Sequence, residues 1–207
     1  MIAIIDYKAG NLTSVRLAFE ALGEANIITS DPAVIRRAAR VVFPGVGAAG
    51  AAMRHITEMG LAPVLRETIG RGTPFLGICV GTQILFEFSE EDGGTPTLGI
   101  LPGRVSLFRP ADSRDKVPHM GWNQMRIRRP HPLLAGIADN SDFYFVHSYY
   151  PQPADAADTI GTTDYAGVAF TAMAGRGNIA ATQFHVEKSG QVGLRMLKNF
   201  AQWNGRD

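Results

Sequence analysis

Over its first eighty residues the chain alternates short apolar runs with segments of helical period, and few architectures accept that alternation. Ile2-Ala3-Ile4-Ile5, Ile27-Ile28, Val41-Val42-Phe43 and Pro74-Phe75-Leu76-Gly77-Ile78 read as strands. Between the first two, Leu12, Val15, Phe19 and Leu22 recur at helical spacing before Gly23, a residue suited to closing a helix. Asp31-Pro32 supplies a cap acid and then proline at the first helical position, and further helical stretches run from about 50 to 59 and about 64 to 69. Apolar strands separated by helices build a mostly parallel sheet covered on both faces, because parallel neighbours need a crossover.

The second half reads differently. Residues 105–107, 124–127, 143–146, 167–172 and 179–184 are short runs separated by turn residues, as in antiparallel or mixed strands. A last helix, about 190 to 203, would turn Val192, Leu194, Leu197, Phe200 and Trp203 inward. No repeat or linker divides the 207 residues. The expected fold is therefore a single α/β domain over 1–207, an open mixed, mostly parallel sheet flanked by helices, with an antiparallel part in the second half.

Twenty basic residues stand against nineteen acidic ones, so nothing draws the chain toward nucleic acid or an anionic membrane. Arg126, Arg128 and Arg129 read as a solvated strand face. The apolar start meets Asp6 without a basic leader and is too short to span a bilayer, which leads to the expectation of a cytoplasmic protein. The single cysteine can form no internal disulfide, so it is either a buried hydrophobe or a reagent. No histidine cluster has metal-ligand spacing, and no metal or other cofactor is expected; His55 and His131 read as surface residues.

Gly77-Ile78-Cys79-Val80-Gly81 follows an apolar strand and leads into the apolar run Gln83-Ile84-Leu85-Phe86-Glu87, read as helix. That is the setting of a nucleophile elbow carrying cysteine. A nucleophile on so sharp a turn is crowded by the residues two before and two after it, which explains the glycines. A helix N-terminus would favour the thiolate, and the Val80 N–H could stabilise an oxyanion. Pro44-Gly45-Val46-Gly47 stands at the same sheet edge, where ligands bind in open α/β sheets, and its amides at Val46 and Gly47 could complete an oxyanion hole. Near the other end, His185 and Glu187 lie two apart, a spacing that in extended chain directs both side chains one way. Glu187 could then orient His185 while the imidazole faces the thiol. Each feature alone also fits a purely structural role: a buried cysteine, a tight turn, a surface pair.

Together, the cysteine elbow, the upstream glycine turn and the His-x-Glu ending resemble the triad class of glutamine amidotransferases. Within it, Pro118-His119-Met120-Gly121-Trp122-Asn123 is similar to the signature of the glutaminase subunits of imidazole glycerol phosphate synthases, as are Pro44 to Ala48 and Phe143 to Tyr149. The resemblance implies that Cys79 attacks the glutamine carboxamide, that His185 moves protons, and that Gly47, Gln83, Glu91 and the stretch His147-Ser148-Tyr149 hold the substrate. Without it, Glu91 reads equally well as part of a solvated acidic run. It further implies a heterodimer with a (βα)8-barrel cyclase or synthase, which receives ammonia through an enclosed route. That partner would dock near Asn11, Trp122, Tyr144 and Lys188 and switch on a nearly silent subunit through the Val46 turn. Trp122 and Tyr144 could instead belong to this chain's own core. Two departures stand out: Val186 where the family usually has proline, and Thr82 where methionine is more usual. The rival readings are the glutaminase subunit of another synthase, such as that of pyridoxal phosphate synthesis, a non-catalytic regulatory subunit of the same fold, and a cysteine hydrolase or chaperone of the wider elbow-bearing group.

Overall fold

The computed structural model describes residues 1–8, 11–112 and 114–206. In the first half, strands and helices alternate as β1 (Ile2–Ile5), α1 (Leu12–Ala21), β2 (Asn26–Thr29), α2 (Pro32–Arg37), β3 (Arg40–Gly45), α3 (Ala49–Glu58), α4 (Leu61–Gly70) and β4 (Phe75–Cys79). Two sequence signals act as expected. Gly23 takes a left-handed φ of 74° after α1, and its N–H and that of Glu24 close the helix onto the carbonyls of Glu20 and Phe19. The Asp31 carboxylate accepts the Ala33 N–H at 2.8 Å to open α2.

After β4 comes α5 (Val80–Gln83), a single turn. The run Gln83 to Glu87 is therefore not the helix its apolar character suggested. Ile84, Leu85 and Phe86 are all fully buried, and their carbonyls accept N–H groups of Leu98, Gly99, Ile100 and Leu101 instead of continuing a helix. Short strands β5 (Phe88–Ser89) and β6 (Thr95–Pro96) follow, then β7 (Gly103–Leu107), β8 (His119–Ile127), β9 (Ser141–His147), β10 (Tyr149–Pro153), β11 (Thr159–Tyr165), β12 (Val168–Arg176), β13 (Ile179–Thr182) and α6 (Gly190–Gln202).

The main sheet runs β2-β1-β3-β4-β13-β12-β11-β8-β9. Its first five strands are parallel, and the rest pair antiparallel. A smaller sheet, β10-β7-β5-β6, packs beside it. The antiparallel part extends further than the sequence pattern conveys: β10 carries Pro151 and Pro153, which mask a strand, and β11 is interrupted by Gly161. Helix α1 packs on α6, and α4 on α2 and α3. Along α6 the buried stripe is Gly193, Met196, Leu197 and Phe200, with Val192 and Leu194 half-buried at its margin. Among the described residues no helix is long and apolar enough to cross a membrane.

One strand pairing positions the chemistry. β13 enters between β4 and β12, so Thr182 lies opposite Ile78 and the chain leaves β13 beside Cys79. On the other side of β4, Gly45 lies opposite Cys79. The glycine turn, the elbow and the His185 segment thus meet at the carboxyl edge of the parallel strands.

Candidate active site

Cys79 holds φ 54° and ψ −112°, a conformation unusual for a side-chain-bearing residue, which projects its thiol from the strand-to-helix turn. The neighbouring glycines permit this by absence of bulk. A Cβ on Gly81 would lie 1.9 Å from the Phe43 carbonyl oxygen, and one on Gly45 would lie 2.6 Å from the Gly81 nitrogen. The single turn of α5 contributes little macrodipole, but the Val80 amide opens that turn, where amides have no intrahelical acceptor. Thr82, one of the two departures, donates its hydroxyl to the Thr182 carbonyl at 2.7 Å, tying the elbow to β13.

His185 is 2 % exposed, and its Nδ1 lies 2.8 Å from Glu187 Oε1. The geometry differs from the extended spacing the sequence suggested: β13 ends at Thr182, and residues Val186–Lys188 form a 3-10 turn that folds Glu187 back behind the ring. Burial alone would lower the basicity of His185, but the Cys79 thiol and the Glu187 carboxylate beside it reverse this and raise its pKa to about 10. An imidazole so placed accepts the thiol proton readily and keeps it near the sulfur. The His185 backbone is clamped as well: its N–H donates to the Tyr144 carbonyl, and its carbonyl accepts the Ser189 hydroxyl at 2.7 Å.

Val186 occupies the first position of that 3-10 turn, after a His185 in β conformation. A proline is tolerated there, since no helical N–H is needed and the preceding residue is already extended. Val186→Pro is expected to leave glutaminase kcat within roughly tenfold of the parent, a barrier change of about 1.4 kcal/mol. Steady-state ammonia release measures this, and complete loss would mean that the turn cannot take the ring.

Cys79 and His185 open into a cavity of about 290 Å³ that also contacts Val46, Gly47, Val80, Gln83, Glu91, His147, Ser148, Tyr149 and Lys188. Glu187 stays behind His185, its side chain 2 % exposed. Glu91 is not part of a solvated acidic run: it is half-buried, and its carboxylate accepts the Ala49 N–H at 2.6 Å. Burial raises its pKa above the ordinary carboxylate range, with the Ala49 N–H acting against the shift. Gln83 lines the cavity with its amide already committed, donating to the Tyr149 carbonyl and to Gln183 Oε1 at 3.0 Å each.

Of the residues assigned to a partner surface, Trp122 is 58 % exposed and so lies outside the core. It meets Tyr144 edge-on with ring centroids 5.9 Å apart, and Lys188 Nζ stands over the Tyr144 ring. Asn11 stands at the start of α1, a helix that packs on the 3-10 turn carrying Lys188, and its Oδ1 accepts the Ser14 hydroxyl. The arginines of β8 and the turn after it are engaged, Arg126 with Asp164, Arg128 with Thr162 and Arg129 with two carbonyls. His131 is buried, contrary to expectation, because its Nδ1 accepts the Leu133 N–H and its ring packs on Trp203. His55 is half-buried. Among the described residues no group of three or more His, Cys, Asp or Glu side chains is placed to hold a metal ion.

Three residues at the site were given no site role by the sequence reading, although Pro118 opened the hexapeptide that carried the resemblance. Gln183 Nε2 lies 3.7 Å from Cys79 Sγ; a polar residue inside the run Ile179 to Phe184 was the available clue. Pro118 also lines the cavity. Tyr7 is fully buried and stacked on Phe43. Burial pushes its phenol pKa well up, while the Val46 amide, directed toward the oxygen, acts the other way. That amide falls short of a hydrogen bond, and Tyr7 Oη has no partner.

A sequence profile of the family Glutamine amidotransferase class-I matches residues 3–203. The chain belongs to the class-I glutamine amidotransferases. This amidotransferase is 54 % identical over 98 % of its length, and 98 % of the relative's, to the imidazole glycerol phosphate synthase subunit HisH of Aromatoleum aromaticum. It is 52 % identical to the HisH subunit of Chromobacterium violaceum, over 99 % and 98 % of the two chains. Solved structures share the amidotransferase fold at low identity. A crystal structure of a glutamine amidotransferase superimposes with a TM-score of 0.74 at 15 % identity, over 99 % of this chain and 100 % of that one. The structure of PurLQS from Thermotoga maritima gives 0.73 at 17 %, over 97 % of each.

Proposed function

We infer that this amidotransferase is the glutaminase subunit of an imidazole glycerol phosphate synthase and acts in histidine biosynthesis. The observation that carries the chemistry is the conjunction of Cys79, His185 and Glu187 at one cavity whose wall bears a half-buried carboxylate. The full-length similarity to HisH subunits favours this synthase over one serving pyridoxal phosphate. The intact triad speaks against a non-catalytic subunit.

In this reading Glu91 pairs with the α-ammonium of glutamine, and Gly47, Gln83 and the His147-Ser148-Tyr149 segment form the walls that hold the amino acid. Cys79 Sγ, its proton passed to His185, attacks the carboxamide carbon. The Val80 amide and those of Val46 or Gly47 receive the oxyanion. His185 returns its proton to the leaving nitrogen, the C–N bond breaks, and ammonia departs from a glutamyl thioester. Water then adds, giving up a proton to His185, and glutamate and the free thiol are restored. Glu187 holds the ring and stabilises its cationic form throughout.

Ammonia lost to bulk water is protonated and no longer nucleophilic, so the second site must close over the first. The exposed apolar side chains Val46, Val117, Met120 and Trp122 surround the cavity side of the molecule, with Tyr144 and Lys188 beside them. They supply the docking face for a (βα)8-barrel cyclase in a heterodimer; aromatic anchors of this kind dominate interface energetics. The test is reconstitution. Addition of this chain should convert an ammonia-dependent cyclase into a glutamine-dependent one, and Lys188→Glu should weaken co-elution and coupling. Parent-level binding and coupling in that variant would remove Lys188 from the interface, and no glutamine-dependent synthesis with the parent chain would defeat the reading itself.

A further inference from the structure

Beside the cavity runs a chain of polar groups that the triad does not use, and its hydrogen-bond direction is fixed from both ends. At one end, Asn123 Oδ1 accepts the Gln124 N–H at 2.8 Å while Nδ2 donates to the Asp164 carbonyl at 3.1 Å, which sets the amide orientation. The same Nδ2 lies 3.2 Å from His119 Nε2, so that ring nitrogen accepts. At the other end, His147 Nδ1 lies 2.7 Å from the Tyr149 carbonyl, which can only accept. Nδ1 therefore carries the proton, and His147 Nε2 is an acceptor. The remaining contact, His119 Nδ1 to His147 Nε2 at 3.0 Å, is satisfied in one way, with His119 donating.

Both rings must be neutral for this to hold, because a second proton on His147 would set two donors face to face. Their surroundings enforce it. His119 is stacked between Phe145 and Tyr165, with centroids 4.8 and 3.9 Å away, and burial lowers its pKa to about 4. His147 is lowered further, by burial first and then by the neighbouring His119 and His185. The Tyr149 carbonyl, accepting from His147 and also from Gln83 at 3.0 Å, has both lone pairs occupied. The preceding Ser148 carbonyl is held by the Phe108 N–H.

We propose that His119 is a positioning residue of the glutamine site: by donating to His147 it fixes the Tyr149 carbonyl, and with it the Ser148–Tyr149 wall of the cavity, in the form that receives the substrate. The inference rests on the reading of this cavity as the glutamine site. Its effect falls on ground-state binding, since neither His119 nor the Tyr149 carbonyl takes part in the proton transfers, and a loosened wall must be ordered by the substrate at the expense of affinity.

The experiment is the steady-state glutaminase kinetics of the assembled complex. His119→Phe keeps an aromatic ring between Phe145 and Tyr165 but cannot donate, and leaves His147 Nε2 a buried acceptor without a partner. KM for glutamine is expected to rise about tenfold with kcat within about twofold. His119→Asn places an amide N–H where Nδ1 stood and should restore KM to within about threefold of the parent. Co-elution with the partner reports assembly. If the His119→Phe chain does not assemble, Asn123→Ala, at the half-exposed end of the run, removes the first donor and should raise KM about threefold. Unchanged KM in His119→Phe, or an equal rise in His119→Asn, overturns the proposal. Glu91→Gln measured alongside separates the two levels. A raised KM there with none in His119→Phe leaves the cavity assignment standing without the histidine run, and no change in either removes both.

Discussion

Replacing Cys79 with alanine or serine is expected to abolish glutamine-dependent synthesis while ammonia-dependent synthesis by the complex continues. The loss should reach about 10⁴-fold or more, a barrier increase of about 5.4 kcal/mol, as for removal of a triad nucleophile. In the proposed mechanism only the glutaminase half-reaction uses this thiol, the single cysteine of the chain. Serine preserves the volume and the strained backbone of the elbow, so its failure would be chemical and not a matter of folding. Ammonia release from glutamine, followed beside synthesis driven by ammonium, reads both halves. Parent-rate release by either variant would mean that another group attacks the amide.

The second large effect concerns timing. The isolated chain should release ammonia slowly, and the partner with its own substrate bound should raise the rate by roughly 100- to 1000-fold, the worth of one oxyanion donor. In this gated reading the Val46 peptide turns to present its amide to an oxyanion above Cys79, since a carbonyl there would repel it. Gly47, at φ 88°, and the glycine at 45 flank that peptide. Alanine at the two positions would act differently. At Gly45 a Cβ would press on the Gly81 backbone and disturb the elbow, whereas at Gly47 it meets nothing within 4 Å and penalises only the left-handed backbone. Gly47→Ala is therefore the cleaner substitution, expected to blunt the activation while partner binding persists. Rates measured for the chain alone, with partner, and with partner and synthase substrate decide the matter: equal values in all three would defeat gating.

How much of this was legible follows from what each signal depends on. The parallel half could be read because its inner strands β1, β3 and β4 are buried on both faces and its helices are amphipathic, so period and punctuation coincide, down to Gly23 and Asp31-Pro32. The elbow was legible because its backbone tolerates only glycine at positions 77 and 81. The partial failures share a cause, long-range context overriding local pattern. The run Gln83 to Glu87 looked helical, but its carbonyls are claimed by residues 98–101. His185 and Glu187 were placed on one extended strand, yet a 3-10 turn brings them together. The His119–His147 contact joins residues 28 apart across β8 and β9, and no spacing in the chain announces it.

The insertion of β13 between β4 and β12 has a consequence for how the protein comes into being. Cys79 and His185 lie about a hundred positions apart, and the strand that leads to His185 is also the one that closes the β4 edge. A nascent chain therefore carries Cys79 on a bare, apolar sheet margin until synthesis has passed residue 182. Such late, non-local closure is slow and leaves a pairing edge exposed in the interval. On the proposed mechanism the same order confers a safeguard: a partly made or partly folded chain lacks the imidazole that would take the thiol proton, so it consumes no glutamine before the sheet is complete.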